Sequence, residues 1–283
     1  MPRLRVLITV TTYPLPSRSY DELVCTAGIL ETGEWIRIYP VPLEFMRGMK
    51  IKGRMRRFKY TWIELDLNRR IKDDFRPESY SPVDYSFKDL EVFDTLDTAN
   101  FWKARKDICL KNVYTNLERL IAESREPRNK SLATFKPKQI LKFRAVPDDR
   151  EWKPEWKAQL QQLQLDFENT SESSKRRELI RKLPYKFYYD FIDENDKLSK
   201  MMIEDWEIGE LFWKCLKDSA GDEEVAIGKV KQKYFDIFTQ KNDIYLFLGT
   251  TNEWHRRRSP NPFVIIGVFY PLKNADAQLS LGL

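Results

Sequence analysis

Two apolar runs near opposite ends of the chain frame what it can fold into. Arg3 to Tyr13 is rich in Val, Ile, Leu and Thr with a two-residue period, and Pro262 to Tyr270 is a second run of the same strand type. Leu23–Ile29 and Glu34–Tyr39 read as a hairpin about Glu31-Thr32-Gly33, and Phe58–Leu67 as a further aromatic, β-branched strand. Residues 72–97 are turn-rich. From Asn100 the period changes. Phe101, Ala104, Ile108, Val113, Leu117 and Leu120 mark one face of a long helix ending near Ser124. Phe135 and Ile140–Val146 return to strand. Pro154 opens a helix through Phe167, followed by a polar, Ser-rich break at 169–175. Leu183–Ile192 is a dense aromatic strand, 203–217 and 223–238 are helices, and Ile244–Leu248 is a strand joined to the last one by the loop 249–261.

This order predicts an α+β fold, a curved antiparallel sheet or OB-like barrel with inserted helices. One domain is expected over 1–271, with a sheet-rich part (1–98), a helical and sheet part (99–271), and a flexible tail over 272–283. The 283 residues include 49 Lys and Arg against 43 Asp and Glu, three Cys and one His. Scattered Cys25, Cys109 and Cys215 exclude a disulfide framework, and with one His they exclude a Cys/His zinc site. No metal and no other cofactor is expected, in a cytoplasmic, reducing setting. No apolar run spans a bilayer, so no membrane partner is expected. A phosphate-binding glycine loop and a Gly-x-Ser-x-Gly elbow are both missing.

Five features carry candidate chemistry. Arg47, Lys50, Lys52, Arg54, Arg56, Arg57 and Lys59 follow one another with no acid among them. Such like charges repel unless a polyanion neutralises them; the competing reading is a solvated loop. Trp254-His255-Arg256-Arg257-Arg258 lies between two strong strands, where Arg forks suit phosphates and a ring can stack on a base; the alternative is a basic loop with Trp254 tucked down as an anchor. Glu204-Asp205-Trp206-Glu207 sets carboxylates beside an indole, either for acid–base work or as a helix's first turn. The loop Ser17–Glu22 offers Arg18 for phosphate, Tyr20 for stacking, and Asp21 and Glu22 for positioning water, or it is a plain turn. The tail residues Gln278, Leu279, Leu281 and Leu283 match Gln-Leu-x-Leu-x-Leu and so resemble the bacterial sliding-clamp-binding hexapeptide.

TTYPLPSRSYDELVCTAG and GEWIRIYP near the start, LPYKFYYDF and IEDWEIGELF in the middle, and LFLGT and FVIIGVFYP near the end together resemble a broad bacterial family of largely uncharacterised proteins met in phage-defence contexts. The start, with the hairpin that carries Arg37, is also similar to dual-OB-type modules predicted to bind nucleic acid. A defence DNA glycosylase that removes glucosylated cytosine is similar in type, without a shared motif. Relatives can carry Cys and His ahead of the IEDWE phrase. Here that stretch reads DENDKLSKMM, so any metal role implied there is absent.

These readings converge on an expectation: a metal-independent DNA base glycosylase that flips a modified nucleotide, with Asp21, Glu22 and Asp205 as catalytic carboxylates. DNA and the sliding clamp are the expected partners. The alternatives are a non-catalytic OB-like single-strand binder and a Mg²⁺-dependent nuclease using Asp205 and Glu207.

Overall fold

The computed structural model describes residues 2–12, 15–16, 22–42, 50–51, 54–55, 59–72, 74–154 and 181–273, of which 15–16, 22–25, 40, 42, 50–51 and 54–55 are described by backbone alone. The first part of the chain supplies β1 (Arg3–Thr11), β2 (Leu15–Pro16), β3 (Glu22–Leu30), β4 (Trp35–Pro42), β5 (Lys50–Ile51), β6 (Arg54–Met55), β7 (Thr61–Arg69), β8 (Ser79–Pro82) and β9 (Glu91–Thr95). Gly33, at φ +91°, takes the left-handed position of the tight β3–β4 turn, which a side chain would strain. β1 pairs with both β3 and β7, β3 with β4, β4 with β8 in parallel, and β8 with β7. The five strands therefore close on themselves. Numbered by chain position, their order around the ring is 1-2-3-5-4-1, an OB-like barrel, as the sequence pattern predicts.

The second part supplies α1 (Ala99–Cys109), β10 (Val113–Tyr114), α2 (Leu117–Glu123), β11 (Leu132–Phe135), β12 (Gln139–Pro147), β13 (Tyr185–Ile192), β14 (Leu198–Ile203), α3 (Trp206–Lys217) and α4 (Glu223–Lys231). A π turn, Gln232–Ile237, runs from α4 into α5 (Phe238–Lys241); then come β15 (Tyr245–Thr250), α6 (Asn252–Arg256) and β16 (Phe263–Phe269). Seven strands form a second sheet in the order β10-β11-β15-β16-β14-β13-β12. α3 lays Ile208, Phe212, Cys215 and Leu216 on it, a helical face with Phe212 against Phe187 and Tyr185.

The two sheets share a core. Val6, Ile8, Ile36, Ile38, Ile63, Leu65 and Leu67 fill the barrel. Leu7 and Val10, on the opposite face of β1, pack with Ala27, Ile29, Trp35 and Trp62 against Leu132, Phe247, Val264, Ile266 and Phe269. That is why RVLITV and FVIIGVF read as near-continuous apolar runs: both faces of these strands are buried. A Cβ on Gly267 would meet Val10 Cγ2 at 3.1 Å and Phe247 Cδ2 at 3.2 Å, so the side chains of the two sheets close tightly over this position.

Two helical expectations are corrected. The long helix over 101–124 is broken, because Val113–Tyr114 pair in parallel with Thr134–Phe135 and Asn116 then caps a new helix through Arg119 N. Residues 198–203 form β14, so the helix expected from Ile203 begins at Trp206.

Candidate nucleic-acid interface

The outer faces of β3 and β4 are where an OB-type barrel carries its ligand. Here Ala27, Ile29, Trp35 and Arg37 on those faces are buried under the second sheet. Trp35 packs edge-on to Phe247 at 5.0 Å, and its indole N–H donates to Thr134 Oγ1 at 3.3 Å. Arg37 donates to Ser79 Oγ at 3.2 Å and to Ser131 Oγ at 2.9 Å. The expectation that Arg37 contacts nucleic acid is therefore corrected: the guanidinium is spent on the seam between the sheets.

Among the expected groups whose burial is described, those of the loop 249–261 are the most exposed. Thr251 caps α6 by accepting from Trp254 N at 3.2 Å. His255 faces inward. Its Nε2–H donates to the Ser124 carbonyl at 2.5 Å, and its Nδ1 accepts from Thr250 Oγ1 at 3.0 Å. Burial first, then repulsion from Arg76 and Arg125, lowers its pKa, so it stays neutral. A base-stacking or catalytic His255 is corrected to a pin that fixes the helix. The pin leaves Trp254 41% exposed, with Arg256, Arg257 and Arg258 exposed behind it. Arg257 pairs with Glu253 at 2.9 Å and Arg258 lies 3.9 Å from Glu126. Arg256 makes no ion pair with a described carboxylate; its guanidinium stands 6.0 Å from the Phe75 ring centre.

Phe75 comes from the barrel loop between β7 and β8 and meets His255 edge-on at 4.8 Å. Arg76 ties that loop down, donating to the Thr250 carbonyl at 2.9 Å and gripping Asp74 through Nε at 2.8 Å and Nη2 at 2.6 Å. Burial alone would raise the Asp74 carboxyl, but Arg76 pulls it down to about 2. Sequence reasoning missed Phe75; a lone ring inside the polar stretch KDDFRPES was the only signal.

The expected carboxylate site lies at another junction between the two sheets. Thr12, just past β1, bridges Asp205. Asp205 is 1% exposed. It caps α3 by accepting from Glu207 N at 3.1 Å, and it also accepts from Val268 N at 3.4 Å. Lys59, the last cation of the basic run, lies 2.7 Å from Glu207 and 3.6 Å from Asp205. Burial raises Asp205 to about 6 despite the opposing pull of Lys59. Burial would lower Lys59, but the two acids outweigh it and raise it. Lys59 as a phosphate contact and Asp205 as a substrate-touching carboxylate are both corrected: they are a buried tie. The ammonium also stands where the two acids of the nuclease alternative would hold a cation. Glu204, next along, is half-buried and pushed up to about 7 by burial, with Lys186 opposing.

Arg18, Tyr20, Asp21, Arg47, Lys52, Arg56, Arg57 and the tail residues Gln278, Leu279, Leu281 and Leu283 lie outside the described residues. Glu22 opens β3 opposite Pro16. Lys50 and Arg54 sit in a two-residue ladder, Lys50 opposite Met55 and Ile51 opposite Arg54.

A family model described as a domain of unknown function (DUF8757) matches residues 113–281, from the first strand of the second sheet onward. The chain belongs to that family. A second model, a domain of unknown function (DUF8758), matches residues 2–111, the barrel and α1. No curated protein matches the chain.

Proposed function

We propose that this chain acts on DNA, holding the strand through the α6 platform together with the cationic run 47–57, and that it excises a modified base without a metal. The observation that carries the DNA reading is the pinned helix. The buried His255 projects an exposed Trp254 and three exposed arginines from one rigid turn. Rigid presentation of Arg forks beside a ring is the chemistry of phosphate and base contact.

The excision reading draws on carboxyl groups. A glycosylase needs a carboxylate to stabilise an oxocarbenium-like sugar and an acid to protonate the leaving base. Asp21 and Glu22 are assigned the first role. Glu204 suits the second, since a carboxyl at about 7 keeps part of its protons at neutral pH. Asp205 takes no part in excision, being engaged by Lys59 and by the start of α3. The phage-defence setting rests on the family resemblance, and the C-terminal hexapeptide is assigned to the sliding clamp. A cytoplasmic location accords with the unpaired Cys109 and Cys215.

Plain and base-modified DNA, incubated with and without EDTA and then treated with alkali, tests the reading. Alkali-dependent breaks that survive EDTA support excision. Asp21→Asn, Glu22→Gln and Glu204→Gln should each reduce them; full activity in all three overturns the assignment. A non-catalytic binder is the second reading, favoured because Asp205 and Glu207 are already engaged by Lys59. Retardation of DNA without breaks would select it, and EDTA-sensitive direct breaks would select a nuclease.

A further inference from the structure

We infer that Phe75 and Trp254 form one composite stacking platform, made half by the barrel and half by the second sheet, whose ligand is single-stranded nucleic acid. The inference rests on the DNA reading above and specifies the form of strand.

Four observations carry it. First, the barrel's own strand face is closed over Ala27–Arg37, so the ligand surface left to the barrel here is its rim. The β7–β8 loop belongs to that rim, and it leads from Ile71, 74% exposed, to Phe75, 38% exposed. Second, the exposed large aromatic residues among the described residues are Phe75, Tyr85, Phe101 and Trp254, and two of the four belong to segments that meet at His255. Phe75 packs on His255 at 4.8 Å, and Trp254 is its neighbour in the same helix. Third, the backbone segments that carry the two rings are fastened from beneath. Arg76 fastens the loop to the Thr250 carbonyl, and His255 fastens α6 to Ser124 and Thr250. Little ordering is then left to be done on binding. Fourth, Arg256 lies against Phe75 with no carboxylate partner among the described residues, which leaves its fork for a phosphate between stacked bases.

Rings discriminate between strand forms. In a duplex each base face is already covered by its neighbours, so an exposed protein ring gains little. An unstacked base offers a free π-face to it. Charge alone would favour a duplex, which carries the denser line of phosphates. The two contributions therefore point in opposite directions and can be measured apart.

The test is fluorescence anisotropy with a labelled oligothymidine and a labelled duplex of equal length, using the full chain. Wild type, Phe75→Ala, Trp254→Ala and Arg256→Gln are compared over a salt series, with thermal melts to confirm that each variant folds. Both rings are more than half covered, so the ring variants should melt lower while still unfolding cooperatively, and binding is compared well below their midpoints. The expected result is tighter binding to the single strand. Each ring variant should lose about tenfold on it, keep the wild-type salt slope, and stay within about twofold on the duplex. Arg256→Gln should weaken both forms and flatten the slope. Ring variants that bind oligothymidine like wild type, or a wild type that prefers the duplex, would overturn the inference and leave the DNA reading standing. No binding to either form at low salt would remove both.

Discussion

Replacing Lys59 by Met separates a structural tie from a phosphate contact. Lys59 is 14% exposed, and its ammonium is 3.6 Å from Asp205, which is 1% exposed. At an effective dielectric of 20 the attraction at that separation is about 5 kcal/mol. Removing one partner of a buried pair costs about 3–5 kcal/mol, because the other is left charged and alone. Glu207, 35% exposed, adds about 1 kcal/mol or less after solvent screening. The loss should depend on pH. Asp205 is raised from its ordinary value to about 6. Well above that value it is charged and needs the ammonium; well below, it is a neutral acid and needs it little. Lys59→Met should therefore cost about 3–5 kcal/mol at pH 8 and about 1 kcal/mol at pH 5. At about 2–3 °C per kcal/mol, that is a melting shift of roughly 6–15 °C at pH 8 and about 2–3 °C at pH 5. Circular dichroism melts at the two pH values read it directly. A variant that melts like wild type at pH 8 but binds DNA tenfold more weakly would refute the tie and restore Lys59 to the interface.

Further outcomes follow from the same geometry. His255→Ala should cost about 1–3 kcal/mol, since the Ser124 carbonyl and Thr250 hydroxyl lose their partner, and it should also weaken DNA binding by loosening α6; chemical denaturation with a binding titration checks both. Glu204 has a folded value near 7, above its unfolded one, so the folded state takes up its proton first and gains stability as pH falls through 7 toward 4.5. Glu204→Gln should thus outlast wild type in melts at pH 8, with the gap closing on the acid side; parallel melting curves across the whole range would contradict that sign. Deleting 278–283 should abolish retention on immobilised sliding clamp while leaving action on naked DNA unchanged.

The fold was largely legible because its determinants are local. RVLITV and FVIIGVF announce strands, though their burial on both faces shows only in the fold, and Glu31-Thr32-Gly33 announces the first hairpin. β14 was missed because Leu198–Ile203 mixes Ser199 and Lys200 with apolar residues and lacks a β-branched run. The break at Asn112 was missed because Val113 fits a helical stripe as well as a parallel strand, and only its partner Thr134, far along the chain, decides between them. Side-chain roles failed for a related reason. Arg37 and His255 look like surface groups in their own segments, yet the second sheet covers one and α2's end covers the other. Lys59 is the end of a basic run by sequence, but its partners lie at the start of α3. Asp205 was legible as an acid near a helix start; its place as the cap, its burial and its lysine were not.

In the proposed function Arg256, at the end of α6, and the following Arg257 and Arg258 hold a polyanionic strand. The most direct measurement is the affinity for a labelled DNA strand across a salt series, comparing wild type with the triple variant Arg256→Gln, Arg257→Gln, Arg258→Gln. The triple variant should associate at least tenfold more weakly, with a salt slope reduced by about 2–3, roughly one for each phosphate that an arginine no longer neutralises. An unchanged affinity and slope in a folded triple variant would contradict it.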